Sequence, residues 1–136
     1  MSVSYGKGDK GKATKLHAEL VRSTGECESC FKRPPAVQLQ CAHIQGRKAS
    51  ATRTLLINAF CLCASCHRIY TDKPLNFARF VTGTWAQEYR DLLITLSNTM
   101  TKKDWTAELA RLKEVKQRLD NGSTLQAERE LEAQEL

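Results

Sequence analysis

The sequence has no apolar run of the length a membrane span requires; its most apolar stretch, Ala59 to Ala64, is far too short. It also lacks a secretory signal, because the N-terminus, MSVSYGKGDKGKATK, is polar and basic with no apolar segment. No internal repeat is present. These absences predict a cytoplasmic protein with no membrane partner. In that reducing compartment the six cysteines are expected to hold metal rather than to pair as disulfides. At 136 residues there is room for one domain and an appendage. A chain this short buries a small share of its surface, so a metal staple would help it fold.

Acidic residues are scarce in the first half. Residues 1–75 carry 12 Lys and Arg against 5 Asp and Glu, a net +7, whereas residues 76–136 carry 9 against 10, a net −1. The cysteines lie in the basic half, and so do the histidines that draw attention, His43 and His67. The asymmetry points to a polyanion as partner and sets it against that half.

Along the chain, residues 1–11 are Gly-, Lys- and Ser-rich with little apolar content and are expected to be disordered. A helix is predicted over 12–23, with Leu16, Leu20 and Val21 on one side and Gly25 as its stop. Cys27 to Cys30 follows as a tight knuckle, and Pro34-Pro35 predicts an extended exit. Alternation over Val37 to Ile44 predicts a strand with Val37, Leu39, Cys41 and His43 on one face. A loop holding Gly46, Arg47, Lys48 and Arg53 leads to a second short strand, Asn58 to Cys63, and then a helix from Ala64 to about Tyr70. Three more helices are predicted. Pro74 opens the first, ahead of Leu75, Phe77, Phe80 and Val81. Thr84 and Gln87 form a capping box for the second, with a stripe of Trp85, Tyr89, Leu92, Leu93, Leu96 and Met100. Thr101 and Asp104 do the same for the third, ahead of Trp105, Leu109, Leu112, Val115 and Leu119, and Asn121-Gly122 ends it. Residues 122–136 read as an acidic, flexible tail.

Cys27-x-x-Cys30 and Cys63-x-x-Cys66 are two chelating pairs. Two intervening residues let both thiolates turn to one point, and two such pairs complete a tetrahedral sulfur site, the closed geometry of structural zinc. Cys61 could replace Cys63 as ligand, but Cys63 preserves the two-residue spacing. Cys41 and Cys61 are then expected as small buried side chains on facing strands. His17, alone on the first helix, reads as a residue without a chemical role. The pairs bracket His43 and Asn58, and His67 directly follows the last cysteine.

The string Cys27-x-x-Cys30, Ala42-His43-Ile44, Asn58-Ala59-Phe60-Cys61-Leu62-Cys63, Cys66-His67 resembles an HNH (ββα-metal) nuclease motif with zinc knuckles. Asn58 stands nine residues before His67, as the last two signature residues of that family do. The stretch from His43 through Arg47, Lys48 and Arg53 to Arg68 is similar to small phage recombination nucleases of the NinG type. The match is specific over residues 27–67 and looser to about 120. The resemblance implies an α+β fold: a zinc-stapled ββα core over 12–82 behind an N-terminal helix, and a helical extension over 83–121 packed on the core. It implies a phage or prophage DNA endonuclease in a bacterial host cell, with structural Zn²⁺ and a catalytic Mg²⁺ or Mn²⁺. His43 would be the general base, Asn58 would hydrogen-bond across the hairpin and fix His43, and His67 would ligate the catalytic ion. Arg47, Lys48 and Arg53 would neutralise phosphates of duplex or branched DNA. A host or phage recombination factor is a further partner the family suggests. In one respect the chain departs from the pattern: many members carry a metal-binding Asp where this chain has Ala42, and Asp72 is a candidate replacement. A zinc-stabilised DNA-binding accessory protein without catalysis is the alternative this departure favours.

Overall fold

The structure, a computed structural model, describes residues 5–100 and 102–136. Six helices surround one two-stranded sheet. Helix α1 (Gly8–Arg22) is followed by strand β1 (Leu39–His43), strand β2 (Ala59–Cys63) and helices α2 (Ala64–Asp72), α3 (Pro74–Thr84), α4 (Gln87–Ser97), α5 (Trp105–Asp120) and α6 (Leu125–Glu135). A single 3-10 turn, Leu56–Asn58, leads into β2. The strands run antiparallel with Leu39 opposite Cys63, Cys41 opposite Cys61 and His43 opposite Ala59. Among the described residues no helix is long and apolar enough to cross a membrane.

The pleat sends alternate side chains to opposite faces of this hairpin. Cys41, Cys61 and Ala59 turn to one face, where Val21 of α1 packs on them. Ala42, Phe60 and Leu62 turn to the other, in a cluster completed by Val81, Trp85 and Leu93 of the following helices. With both faces covered, every residue of β2 is buried. A second cluster joins α1, α5 and α6 through Ala13, Leu20, Leu109, Leu112, Val115 and Leu125.

Several local expectations are corrected. Helix α1 begins at Gly8, so residues 8–11 are helical; residues 1–4 lie outside the described part. Pro34-Pro35 sits in a turn closed by Ala36 N–H to Arg33 C=O at 3.1 Å, with the bond between the prolines cis, rather than in an extended exit. Thr84 caps nothing: α3 runs through it, and its hydroxyl donates back to Phe80 C=O at 2.7 Å. Trp85, between α3 and α4, instead anchors both by donating its indole N–H to Ile57 C=O at 2.8 Å. Met100 is almost fully exposed and packs on nothing. Asp104 itself caps α5 by accepting from Ala107 N–H at 3.1 Å; Thr101 lies outside the described residues.

The largest correction concerns residues 122–136. They form α6, whose Thr124 side chain caps it by accepting from Ala127 N–H at 3.1 Å. It docks by charge rather than by an apolar stripe. Arg129 is 2 % exposed; it donates to Leu56 C=O at 3.2 Å and Ala59 C=O at 2.8 Å, and pairs with Glu28 at 2.6 Å. Its guanidinium also lies 5.0 Å from the Trp85 ring centroid. Glu132 accepts from Leu56 N–H at 2.9 Å and Ile57 N–H at 3.0 Å, and Arg111 bridges it to Glu108.

Glu108 is a measurable consequence of that network. Burial alone would raise its carboxyl, but the Arg111 hydrogen bonds and charge, the Lys103 charge and the Thr54 hydroxyl bring it down from 4.5 to about 2. A depressed folded pKa adds stability that is present above the unfolded value and lost as pH falls through the folded one. The stability gap between the protein and its Glu108→Gln variant is therefore expected to be roughly 3 kcal/mol near neutrality and to shrink as pH drops from about 4.5 toward 2. Urea midpoints at several pH values test this; a gap independent of pH would refute it.

Candidate metal centre and histidine cleft

The turn after α1 supplies Cys27 and Cys30. The end of β2 supplies Cys63, and the first turn of α2 supplies Cys66. Their sulfurs all lie within 4.8 Å of one another, with Cys30 and Cys63 Sγ 3.7 Å apart. A Zn–S bond of about 2.3 Å requires sulfurs about 3.8 Å apart on a tetrahedron, so the Cys30–Cys63 edge already has the length of a zinc site. Cys61 is not part of it; it faces Cys41 on the opposite side of the hairpin.

The backbone is shaped for thiolates. Ser29 N–H and Cys30 N–H both donate to Cys27 Sγ, and Cys66 N–H donates to Cys63 Sγ, each at 3.4 Å. Burial raises the Cys27 thiol, but these and neighbouring hydrogen bonds bring it down to about 7. Burial and the hydrogen bonds of Cys63 and Cys30 push Cys66 up to about 12. Four thiolates this close repel one another, and a divalent soft cation is what lets all four ionise together. The four cysteines thus fit zinc. They leave no ligand position for water, so the ion would hold the knuckle, the strand end and α2 together.

The knuckle is stitched to β2 by Glu28. Its N–H donates to Cys61 C=O at 2.7 Å and its carboxylate accepts from Cys61 N–H at 2.7 Å.

His43 ends β1 and His67 sits in the first turns of α2. Both line a cleft of about 200 Å³ with Ala42, Ile44, Leu62, Tyr70, Thr71 and Phe77. His43 Nε2–H donates to Arg53 C=O at 3.0 Å, which leaves Nδ1 with a free lone pair. His67 Nδ1–H donates to Gln40 Oε1 at 2.7 Å, which leaves Nε2 free. Burial lowers both imidazoles below 6.5, and for His43 the Arg47 and Arg53 charges add to it, so both rings are neutral near pH 7. Asn58 is fully buried and spans the hairpin opening: Gln45 N–H donates to its Oδ1 at 2.8 Å, and its Nδ2 donates to Gln45 C=O at 3.1 Å. This clamp fixes the backbone two residues beyond His43. Gln40, which sets the His67 tautomer, carried no signal in the sequence beyond sharing a strand face with Ala42.

The basic loop is divided. Arg47 and Lys48 are exposed. Arg53 is turned inward, donating through Nε to Thr14 Oγ1 at 3.0 Å and through NH1 to Arg47 C=O at 3.4 Å. No carboxylate lines the cleft, and Asp72, exposed at the end of α2, is not among its walls. Hard divalent ions prefer oxygen ligands, so the cleft residues do not by themselves compose a Mg²⁺ or Mn²⁺ site.

His17 does not stand alone on its helix, as the packing of α1 on the hairpin reveals. It is fully buried, its Nε2 lies 2.8 Å from Leu55 C=O, and its ring centroid is 5.3 Å from that of His43. The chain matches no protein-family model, no curated protein and no solved structure.

Proposed function

We propose that this chain is a metal-dependent DNA endonuclease of the HNH type, of phage or prophage origin, working in recombination or DNA processing. The observation that carries the reading is the hairpin constellation: Asn58 clamping Gln45 across the turn while two neutral imidazoles, each with one nitrogen fixed and one free, line the same cleft. In this reading His43 Nδ1 takes a proton from water as the water oxygen attacks phosphorus and the P–O bond to the leaving sugar oxygen breaks. A neutral ring held by a backbone carbonyl suits that step. Arg47 and Lys48 neutralise flanking phosphates. The substrate phosphate and water would have to supply most ligands of a catalytic ion, because the cleft offers it only His67 Nε2.

The test is nicking of supercoiled plasmid and of branched DNA with Mg²⁺, Mn²⁺ or EDTA. Metal-dependent nicking is expected, and His43→Ala should lower it by roughly 10²–10⁴-fold while the zinc content and melting profile persist. Arg47→Ala with Lys48→Ala should weaken DNA binding and flatten its salt dependence. A folded, zinc-loaded protein that binds these DNAs without cutting any of them would replace this reading with that of a DNA-binding accessory protein, the reading favoured by Ala42.

A further inference from the structure

Among the described residues, one buried side-chain polar atom has no hydrogen-bond partner: Nδ1 of His17. Such orphans are rare in folded proteins and call for a cause. The surroundings provide one. On the face of the hairpin covered by α1, one ligand atom each of His17, Cys41 and His43 lies within 4.8 Å of the others. His17 comes from α1 and Cys41 and His43 from β1, and the packing of that helix on the hairpin brings them together.

Both rings are already oriented as metal-bound histidines are. A ligating imidazole usually donates its second N–H to a backbone carbonyl or carboxylate, which fixes its tautomer. Here His17 Nε2 is held by Leu55 C=O at 2.8 Å and His43 Nε2 by Arg53 C=O at 3.0 Å. Each ring therefore keeps its lone pair on Nδ1, and neither Nδ1 can donate to the other. Without an ion, the enclosed Nδ1 of His17 has no partner although a thiol and a second imidazole lie close by. An ion bound there satisfies it, with His43 and the Cys41 thiolate as further ligands.

We propose that His17, Cys41 and His43 form a second metal site for a zinc-like ion, separate from the four-cysteine cluster. Two imidazoles and one thiolate select borderline-soft ions such as Zn²⁺ or Co²⁺ over Mg²⁺. Bonds of about 2.0–2.3 Å require the ligand atoms to close to about 3.5 Å, against a present spacing of up to 4.8 Å. His17 is the closed side of the site, whereas Cys41 and His43 are half-buried and His43 lines the cleft, so solvent can supply a fourth ligand. The proposal does not depend on the nuclease reading. Where both hold, the ion occupies the same nitrogen that would accept the proton, so zinc in excess silences His43.

Purified protein dialysed against zinc and then Co²⁺ provides the test. About two ions per chain are expected at saturation, and about one in His17→Ala and in Cys41→Ser. Because the second site adds a fifth thiolate to four, sulfur-to-Co²⁺ charge-transfer absorbance should fall by about a fifth in Cys41→Ser. Cys41→Ser is the safer variant, since His17 is fully enclosed and its truncation leaves a cavity in the fold. A wild-type protein that saturates at one ion, or a Cys41→Ser protein that still binds two, overturns the proposal whether or not the protein cuts DNA.

Discussion

Stripping zinc from the protein is expected to abolish its cooperative unfolding transition. The four cysteines join a turn, a strand end and a helix N-terminus, beside the Glu28 links to Cys61 and the hydrogen bond between Ser29 and Tyr70. Cys63 caps α2 through its sulfur, and Cys30 is itself exposed. Structural zinc in small domains contributes roughly 10–16 kcal/mol of apparent binding free energy. That equals or exceeds the roughly 5–15 kcal/mol by which a typical domain is stable. A strong chelator, or Cys63→Ser, should therefore release the ion and loosen the cluster around Phe60, Leu62 and Trp85. The cluster of α1, α5 and α6 has its own apolar contacts, so part of the far-ultraviolet helical signal should survive while the near-ultraviolet signal is lost. Because the Trp85 indole is bonded to Ile57 C=O, its fluorescence should shift to the red in step with zinc release. Unchanged melting after chelation, with no zinc released, would remove the metal from this account.

The second large effect is expected at Arg129. Arg129→Leu keeps an apolar side chain in the site but removes the guanidinium that lies over the Trp85 and Phe60 rings. It deprives the Glu28 carboxylate and the Leu56 and Ala59 carbonyls of their donors. Removing one member of a buried ion pair costs roughly 3–5 kcal/mol, because the partner is left charged and unpaired. Glu28→Gln in the Arg129→Leu background should recover a part of that loss, since a neutral amide oxygen still accepts from Cys61 N–H without carrying a charge. Urea denaturation of the two single variants and the double variant measures the coupling. A loss under about 0.5 kcal/mol for Arg129→Leu would mean that α6 is peripheral.

What the sequence disclosed and what it concealed divide by the range of the interaction. The knuckle pairs, the two strands and α2 were legible because each rests on short spacing: two residues between cysteines, alternation over β1, and the second cysteine pair at the start of α2. The choice of Cys63 over Cys61 followed from the same spacing and agrees with the cluster. Helix α6 was not legible. Besides Leu125, its inward residues are Glu128, Arg129 and Glu132, and polar residues on a helix ordinarily mark the solvent side. Backbone partners 70 or more positions earlier in the chain hold Arg129 and Glu132 inside, while Glu128 is held by the nearby Arg118 and Ser123. The same holds for His17, whose neighbours Leu55, Cys41 and His43 meet it through the packing of α1 on the hairpin. The Thr84 cap failed for a local reason: α3 continues one turn further, and the hydroxyl turns back onto Phe80 C=O.

The reach of Arg129 also sets an order of events. Glu28 and Arg129 stand 101 positions apart, yet the guanidinium of one completes the surroundings of the other. A contact of that sequence separation closes late, because the entropy of the intervening loop must be overcome first. During synthesis the knuckle and the hairpin are finished long before the helix that locks them exists. The nascent hairpin must therefore hold Glu28 against water, with the histidine cleft only loosely framed, until α6 has been translated and swings in. A ribosome-bound chain lacking its last helix would carry every residue of the site and still not hold the site's shape.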